Sequence, residues 1–536
     1  MNETRTTAAS IPVAGPARPA RWVSGRAARV LLCVSGVSFM IMLDANVVAV
    51  SLPAIARSLG SSFADIEWVV SAYILAFAAC LMPMGALADR FGRRRLLLLG
   101  LALFTFASLL CGLAPGAGTL NAARALQGVG AALQLSAALA VLGHEFRGAD
   151  RARAFGFWGT VIGVAVALGP LVGGAITSSV GWRWVFFVNV PIGLALLLLG
   201  NSALEESRDP DAQRADIAGM LLFAAGLYTL IRAMIGANGA GWGSPATLSG
   251  FAIAALLFGA FGIVEALQRR PMVDFGLFRR RTFLGSSLAM LGFAASAQVM
   301  LTYLPLYLQN AYGFGAAAAG LRMMPFALAL FLFPRIAAAL ATRISGRGVL
   351  SLGLLVTSAG NALTAWLVHE HATYLAVAMG MALTGCGAGL LNGETAKVAM
   401  SVIPPARAGM ASGIGATLRF TGLVTGITAF GAVLVGQTRE QFATSISAID
   451  LRLPPLQAMV SRLVAGDLSG MLAGLPPPVK QELTRIARQS YASGFSKVLV
   501  CAAAVALVAA LASWLLISAA ETSPEPEPEP QTGRSS

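Results

Sequence analysis

Leu96-Leu97-Leu98-Leu99-Gly100-Leu101-Ala102-Leu103-Phe104-Thr105-Phe106-Ala107-Ser108-Leu109-Leu110-Cys111-Gly112-Leu113 follows directly on Arg93-Arg94-Arg95. The run carries no charge, and as a helix it reaches about 27 Å, close to the ~30 Å of a bilayer's hydrocarbon core. The same signature recurs outward in both directions. Fourteen windows of mostly apolar residues lie at 30–52, 66–88, 96–113, 120–142, 155–177, 184–200, 217–235, 248–267, 283–307, 315–340, 348–368, 374–402, 409–435 and 496–519. Composition agrees: 57% of the 536 residues are apolar and 12% are charged, against roughly a quarter charged in a soluble domain. Such a chain cannot clothe itself in a water-facing surface. An all-α integral membrane protein is therefore expected.

The formal charge of +14 does not indicate nucleic acid, because the basic residues cluster at the ends of apolar runs instead of along one polar face. Alternate short loops hold Arg90, Arg93, Arg94 and Arg95, then Arg147, Arg151 and Arg153, then Arg208 and Arg214, and later Arg269, Arg270 and Arg279 to Arg281. Arg343, Arg347, Lys397 and Arg407 continue the same side, while the opposite short loops offer only Arg57 and Arg183. By the positive-inside rule the arginine-rich side is cytoplasmic, and an even number of spans puts both termini there. The first apolar run is too long for a cleaved signal and contains Asp44, so residues 1–28 read as a cytoplasmic tail. Cys33, Cys80, Cys111, Cys386 and Cys501 all fall within apolar runs without metal spacing, and read as reduced packing residues.

The chain repeats itself. Ala125-Leu126-Gln127-Gly128-Val129-Gly130-Ala131-Ala132-Leu133 returns as Ala382-Leu383-Thr384-Gly385-Cys386-Gly387-Ala388-Gly389-Leu390, and Leu87-Ala88-Asp89-Arg90 with Gly92 returns as Leu340-Ala341-Thr342-Arg343 with Gly346. Two pseudo-symmetric six-helix bundles are expected, at 29–202 and 283–519, with the substrate cavity between them. Residues 203–282 then read as a two-helix insertion with its flanking cytoplasmic loops. Residues 437–493 form a long, more polar outer loop whose Leu456, Met459, Val460, Leu463 and Val464 repeat suits either an interfacial helix or a helix over the pore mouth. Residues 520–536, rich in Pro-Glu pairs, read as a disordered cytoplasmic tail.

Several segments carry chemistry. Asp44 lies in the middle of the first window, where a buried charge is expensive and marks function by default. Arg124 lies in the fourth window, just before Gln127-Gly128; it should face the interior with a carboxylate, carbonyl or water as partner. Gly85-Ala86-Leu87-Ala88-Asp89-Arg90-Phe91-Gly92-Arg93 joins the second and third windows, with Asp89 suited to accept hydrogen bonds from a neighbouring helix N-terminus. The fifth window holds Gly163 and Gly169-Pro170-Leu171-Val172-Gly173-Gly174, a kink flanked by residues that permit close helix approach. Trp182-Arg183-Trp184-Val185-Phe186-Phe187-Val188-Asn189-Val190-Pro191 follows it, and Arg270-Pro271-Met272-Val273-Asp274-Phe275-Gly276-Leu277-Phe278-Arg279 precedes the ninth window.

Together these segments resemble the major facilitator superfamily and, within it, the fourteen-span drug:proton antiporters, over nearly the whole chain. The resemblance implies proton-coupled export of amphipathic small molecules by alternating access, driven by the proton gradient with no cofactor. Asp44 and Arg124 would then belong to the proton-coupling site, Gly85, Asp89, Arg90, Gly92 and Arg93 to a gating loop, and Gly163, Gly169, Pro170, Gly173 and Gly174 to the antiporter motif. Implied partners are the lipid bilayer, the small-molecule substrate, protons and, in a two-membrane cell, a periplasmic adaptor protein; the location is a cell (inner) membrane.

Glu394, with Lys397 one helical turn away, suits either a proton or cationic-substrate role or a local ion pair. Asn46 stands where the family often has threonine and is placed to tune substrate contacts, and Phe420 replaces the glutamine that usually follows Arg419. Tyr73, Trp158, Tyr303 and Tyr307 are suited to line a cavity for flat cations or simply to pack. Glu67, near the outer end of its window, reads as a solvated mouth residue. A secondary importer or uniporter of a small metabolite is the alternative transporter reading, which the glycine-proline segment disfavours. A membrane receptor or enzyme on a transporter scaffold would have to use His144, His369 and His371, which lack any supporting constellation. No phosphate-cradling loop for ATP is found.

Overall fold

The computed structural model describes residues 25–208, 216–268, 271, 273–403, 408–446 and 455–523, and the described residues contain helices and no strand. Parts of both tails, Arg214, Arg269, Arg270, Met272 and Arg407 lie outside them. Fourteen helices are long and apolar enough to cross a membrane, one for each window. They are α1 (Gly25–Leu59), α2 (Phe63–Phe91), α3 (Arg93–Leu113), α4 (Ala117–Glu145), α5 (Arg153–Ser179), α6 (Trp184–Ala203), α7 (Ile217–Ala237) and α8 (Pro245–Leu267). The second half supplies α9 (Arg281–Asn310), α10 (Ala316–Leu340), α11 (Gly346–His369), α12 (Tyr374–Ser401), α13 (Met410–Ile446) and α14 (Pro477–Leu516).

Helix starts are written locally. Ser62 and Asp65 form a reciprocal capping box at α2, Asp216 accepts from Gly219 N–H at α7, and Ser244 from Thr247 N–H at α8. Four spans are broken: α6 at Val188, α9 by a π-helical stretch over Ala294–Gln298, α10 at Met323, and α12 at Asn392 and Gly393, where Gly393 has φ 95°. Helices α1 to α6 pack as one bundle and α9 to α14 as the other; α7 packs on α2 and α13, and α8 lies against α7 with Leu256 and Leu267 turned outward as a lipid-facing surface.

The repeat is structural. Space for a side chain at Gly128 is closed by Tyr73 O and Ala76 of α2, and at Gly130 by Phe104 N and Gly100 O of α3. In the second bundle Gly385 meets Phe326 O and Ala329 of α10, and Gly387 meets Thr357 and Gly353 of α11. Both bundles therefore use two glycines two residues apart to bring one helix against two neighbours.

Two local expectations change. Residues 437–493 are mostly not loop: α13 continues to Ile446 and α14 starts at Pro477, so that helices of 37 and 40 residues extend well past the hydrocarbon core. Hydropathy windows see only the apolar part of such helices. Between them the short helix Leu456–Ala465 lies over the mouth remote from the arginine-rich loops, with Met459, Val460, Leu463 and Val464 buried. It touches both halves: Phe63 N–H of α2 donates to Ser461 Oγ (3.3 Å), Arg57 of α1 to the Gly466 carbonyl (2.9 Å) and Asn310 of α9 to the Val464 carbonyl (3.4 Å). The tail read as disordered from 520 begins with a helical turn, Ala519–Thr522, held where Glu521 accepts from Thr282 at 2.5 Å.

Candidate functional site

Asp44 is 1% exposed, and donors from two other helices enclose its carboxylate. Arg124 Nη1 of α4 stands 2.6 Å from Oδ2, while Gln127 Nε2 of α4 and Asn189 Nδ2 of α6 donate to Oδ1 at 3.1 and 2.8 Å. Each donor is itself fixed. Arg124 also donates to the Val69 carbonyl (3.0 Å) and to Gln127 Oε1 (2.7 Å), and its guanidinium lies over the Tyr73 ring, 4.2 Å from the centroid. Gln127 donates further to Ser108 Oγ of α3 at 2.8 Å. Breaking such a pair by removing one partner strands a charge in a dry interior. The arrangement therefore holds a carboxylate and its counter-ion at one fixed spot inside the first bundle.

The structure thus brings Asp44 and Arg124 together, and supplies the partner that Arg124 required. Sequence reasoning did not pick out Asn189, Gln127 or Ser108 as ligands of the pair. The available signal was an amide in an otherwise apolar run, which is costly unless paired; Ser108, small and inside an uncharged window, gave none.

The glycine-proline segment of α5 forms a seam with two sides. Gly169 and Gly173 of α5 receive Asn46 Cβ and the Val47 carbonyl of α1, immediately beside Asp44. Gly174 meets the Ala316 carbonyl of α10, Gly320 of α10 meets the Pro170 carbonyl, and Gly163 faces the Phe331 ring. One face thus serves its own bundle and the other the opposite bundle. Asn46 turns its amide back to the Met42 carbonyl at 2.7 Å and packs on α5, away from the substrate-contact role expected of it.

In the loop joining α2 and α3, Asp89 accepts from Arg93 at 2.9 Å, within its own loop and not from a neighbouring helix N-terminus. The N-terminus of α3 is taken instead by Glu206, which accepts from Arg94 N–H at 3.2 Å and pairs with Arg95 at 3.5 Å. Gly92, at φ 116°, turns the chain where Glu206 crowds against it. Arg90 lies over Phe91, and Gly85 has only distant contact with Ser136.

Glu394 is buried at the start of the last segment of α12 and pairs with Lys397 at 3.4 Å, apart from the Asp44 network. Of the aromatic candidates, Trp158 donates to Ser38 (2.8 Å), Tyr303 to the Ile427 carbonyl (2.5 Å), and Tyr307 stacks on Phe495 at 4.4 Å. These are packing roles. All five cysteines are free, and the described residues contain no cluster of three or more metal-ligating side chains. Glu67 is not a solvated residue: it is 4% exposed.

Fourteen spans, an internal repeat and an ion pair buried inside one bundle define a multi-pass membrane transport protein, not an enzyme. The chain belongs to the Major Facilitator Superfamily, whose family model matches residues 34–427. It is similar to the multidrug resistance protein Stp of Mycobacterium tuberculosis, with 34% identity over 89% of each chain. It is also 30% identical to the tetracenomycin C resistance and export protein of Streptomyces glaucescens over 92% of each. Its fold matches a bacterial homologue of the human lysosomal transporter Spinster in an inward-facing, occupied conformation (TM-score 0.62, 16% identity, 95% of this chain and 99% of that one).

Proposed function

We propose that this protein exports amphipathic small molecules, among them drug-like toxic compounds, in exchange for protons. The observation that carries this reading is the Asp44 site: a carboxylate in the membrane interior, held by one arginine and two amides, next to the seam on which the bundles meet. When the bundles rock about α5, the side from which water and substrate reach the Asp44 site alternates. Proton uptake from one side and release to the other follow. A membrane potential supplies about 2.3 kcal/mol per charge per 100 mV, enough for one proton to sustain a gradient of tens-fold. No cofactor is needed. The membrane is the cytoplasmic one with both termini inside, and the relatives named for resistance and export support outward transport of such compounds.

The test is substrate-induced proton release from purified protein, using compounds first identified in a growth screen of an efflux-deficient strain against toxic cations and uncharged antibiotics. Asp44→Asn is expected to abolish the release and the resistance. Unchanged release would remove Asp44 as the proton carrier, and accumulation of the same compounds inside cells would replace export with import.

A further inference from the structure

Glu67 of α2 is an acid buried between the two bundles that the transport reading leaves unused. It sits one helical turn inside the capping box of α2, below the short outer helix, where α2 of the first bundle meets α13 of the second. Neither carboxylate oxygen has a hydrogen-bond partner. The Thr428 hydroxyl beside it is donated to the Val424 carbonyl (3.0 Å), and the Tyr303 hydroxyl to the Ile427 carbonyl. Gly431 lets α13 close over it: a Cβ added there would stand 3.1 Å from Glu67 Oε1 and 3.0 Å from the Tyr303 hydroxyl.

No cation answers this acid among the described residues. Arg124 on α4 is committed to Asp44, Arg57 on α1 to the Gly466 carbonyl, Arg462 on the outer helix to the Gly470 carbonyl, and Arg419 on α13 to Gln298. Arg232 of α7 and Arg439 and Glu440 of α13 are exposed, Asp65 is held by Ser62, Asp44 by Arg124, and the remaining titratable neighbours are Tyr73, Tyr303 and Tyr491. An ionised carboxylate without cation or donor in such a place costs several kcal/mol, whereas the neutral acid costs far less. The interface that buries it is the one between the two bundles. Besides the outer helix, Gln309 of α9 donates to the Val50 carbonyl of α1 and Ala317 N–H of α10 to Ser178 of α5, both at 2.9 Å and both between bundles.

We propose that Glu67 is a second proton site, loaded while the outer halves of the bundles are closed and emptied when they part. On opening, the Glu67 O–H bond breaks, the proton passes to outer water, and the carboxylate that remains is hydrated. The outer opening is thereby tied to a proton separate from the one on Asp44. This rests on the reading of the protein as an alternating-access transporter.

The experiment measures the open-to-closed ratio of the outer side by spin-label distances in nanodiscs, with Ser58→Cys on α1 and Gln441→Cys on α13 in a background free of the five native cysteines. One linked proton shifts this ratio by up to about tenfold per pH unit, toward open as pH rises. In Glu67→Gln, which mimics the loaded acid, the ratio is expected to stay low and flat with pH. Gly431→Ala, which presses on the same contact, is expected to raise the open fraction at every pH. In Asp44→Asn the pH slope should persist even though substrate-induced proton release is lost, so the two proton sites fail separately. A Glu67→Gln protein that keeps the parent's slope, or a parent with no slope, overturns the proposal.

Discussion

The two bundles share a packing skeleton and differ in what they bury. In the first, Gln127 of α4 donates to Ser108 of α3 and is joined to Asp44 and Arg124. At the matching places of the second, Thr384 of α12 donates to Asn361 of α11 at 3.3 Å, and Asn361 donates to the Ser296 carbonyl at 3.1 Å. The position equivalent to Arg124 by the repeat is Met381, which is buried without charge. The same glycine-mediated contacts form in both bundles. The second bundle's skeleton forms without an ion pair, and the proposed coupling role accounts for the charge in the first.

The strongest test of this contrast is Arg124→Met, which copies the second bundle's residue into the first. It leaves Asp44 buried without its cation and is expected to cost about 3–5 kcal/mol, measured as thermal unfolding in detergent. Adding Asp44→Leu should recover most of that loss, since well-packed apolar pairs replace buried ion pairs at little net cost, while transport stays absent. If the double variant is no more stable than the single, the ion pair is structural and the contrast fails. Next in size, Gly130→Ala and Gly387→Ala should each cost about 1–3 kcal/mol through overpacking, and by similar amounts if the two skeletons are equivalent. The smallest effect belongs to Asn361→Ala, about 1 kcal/mol for the lost hydrogen bonds, with proton release unchanged. Altered proton release in that variant would mean that the neutral bundle shares in coupling.

Much of this was legible in the residues. Spans of about 20 apolar residues admit few alternatives in a chain with so little charge, and the repeated Gly-x-Gly segments announced the bundle symmetry because only glycine permits those helix approaches. Asp44 and Arg124 could be singled out because charge is rare in such windows. What surrounds them could not: Asn189 reaches Asp44 across 145 positions of sequence. Glu67 was misread for a related reason. Its place near the end of a window suggested water, but the helix Leu456–Ala465, separated from it by most of the chain, folds over that end. Polar extensions of α13 and α14 escaped because hydropathy is blind to helices outside lipid, and Glu206 because nothing local ties it to Gly92.

Helix α5 faces α1 with Gly169 and Gly173 and α10 with Gly163 and Gly174. Surfaces without side chains cannot interlock like ridges in grooves. The helix can therefore serve as a bearing: neighbours can slide across it by small steps without climbing over knobs, and bulk added to either face is expected to act as a brake on turnover as well as to strain the packing.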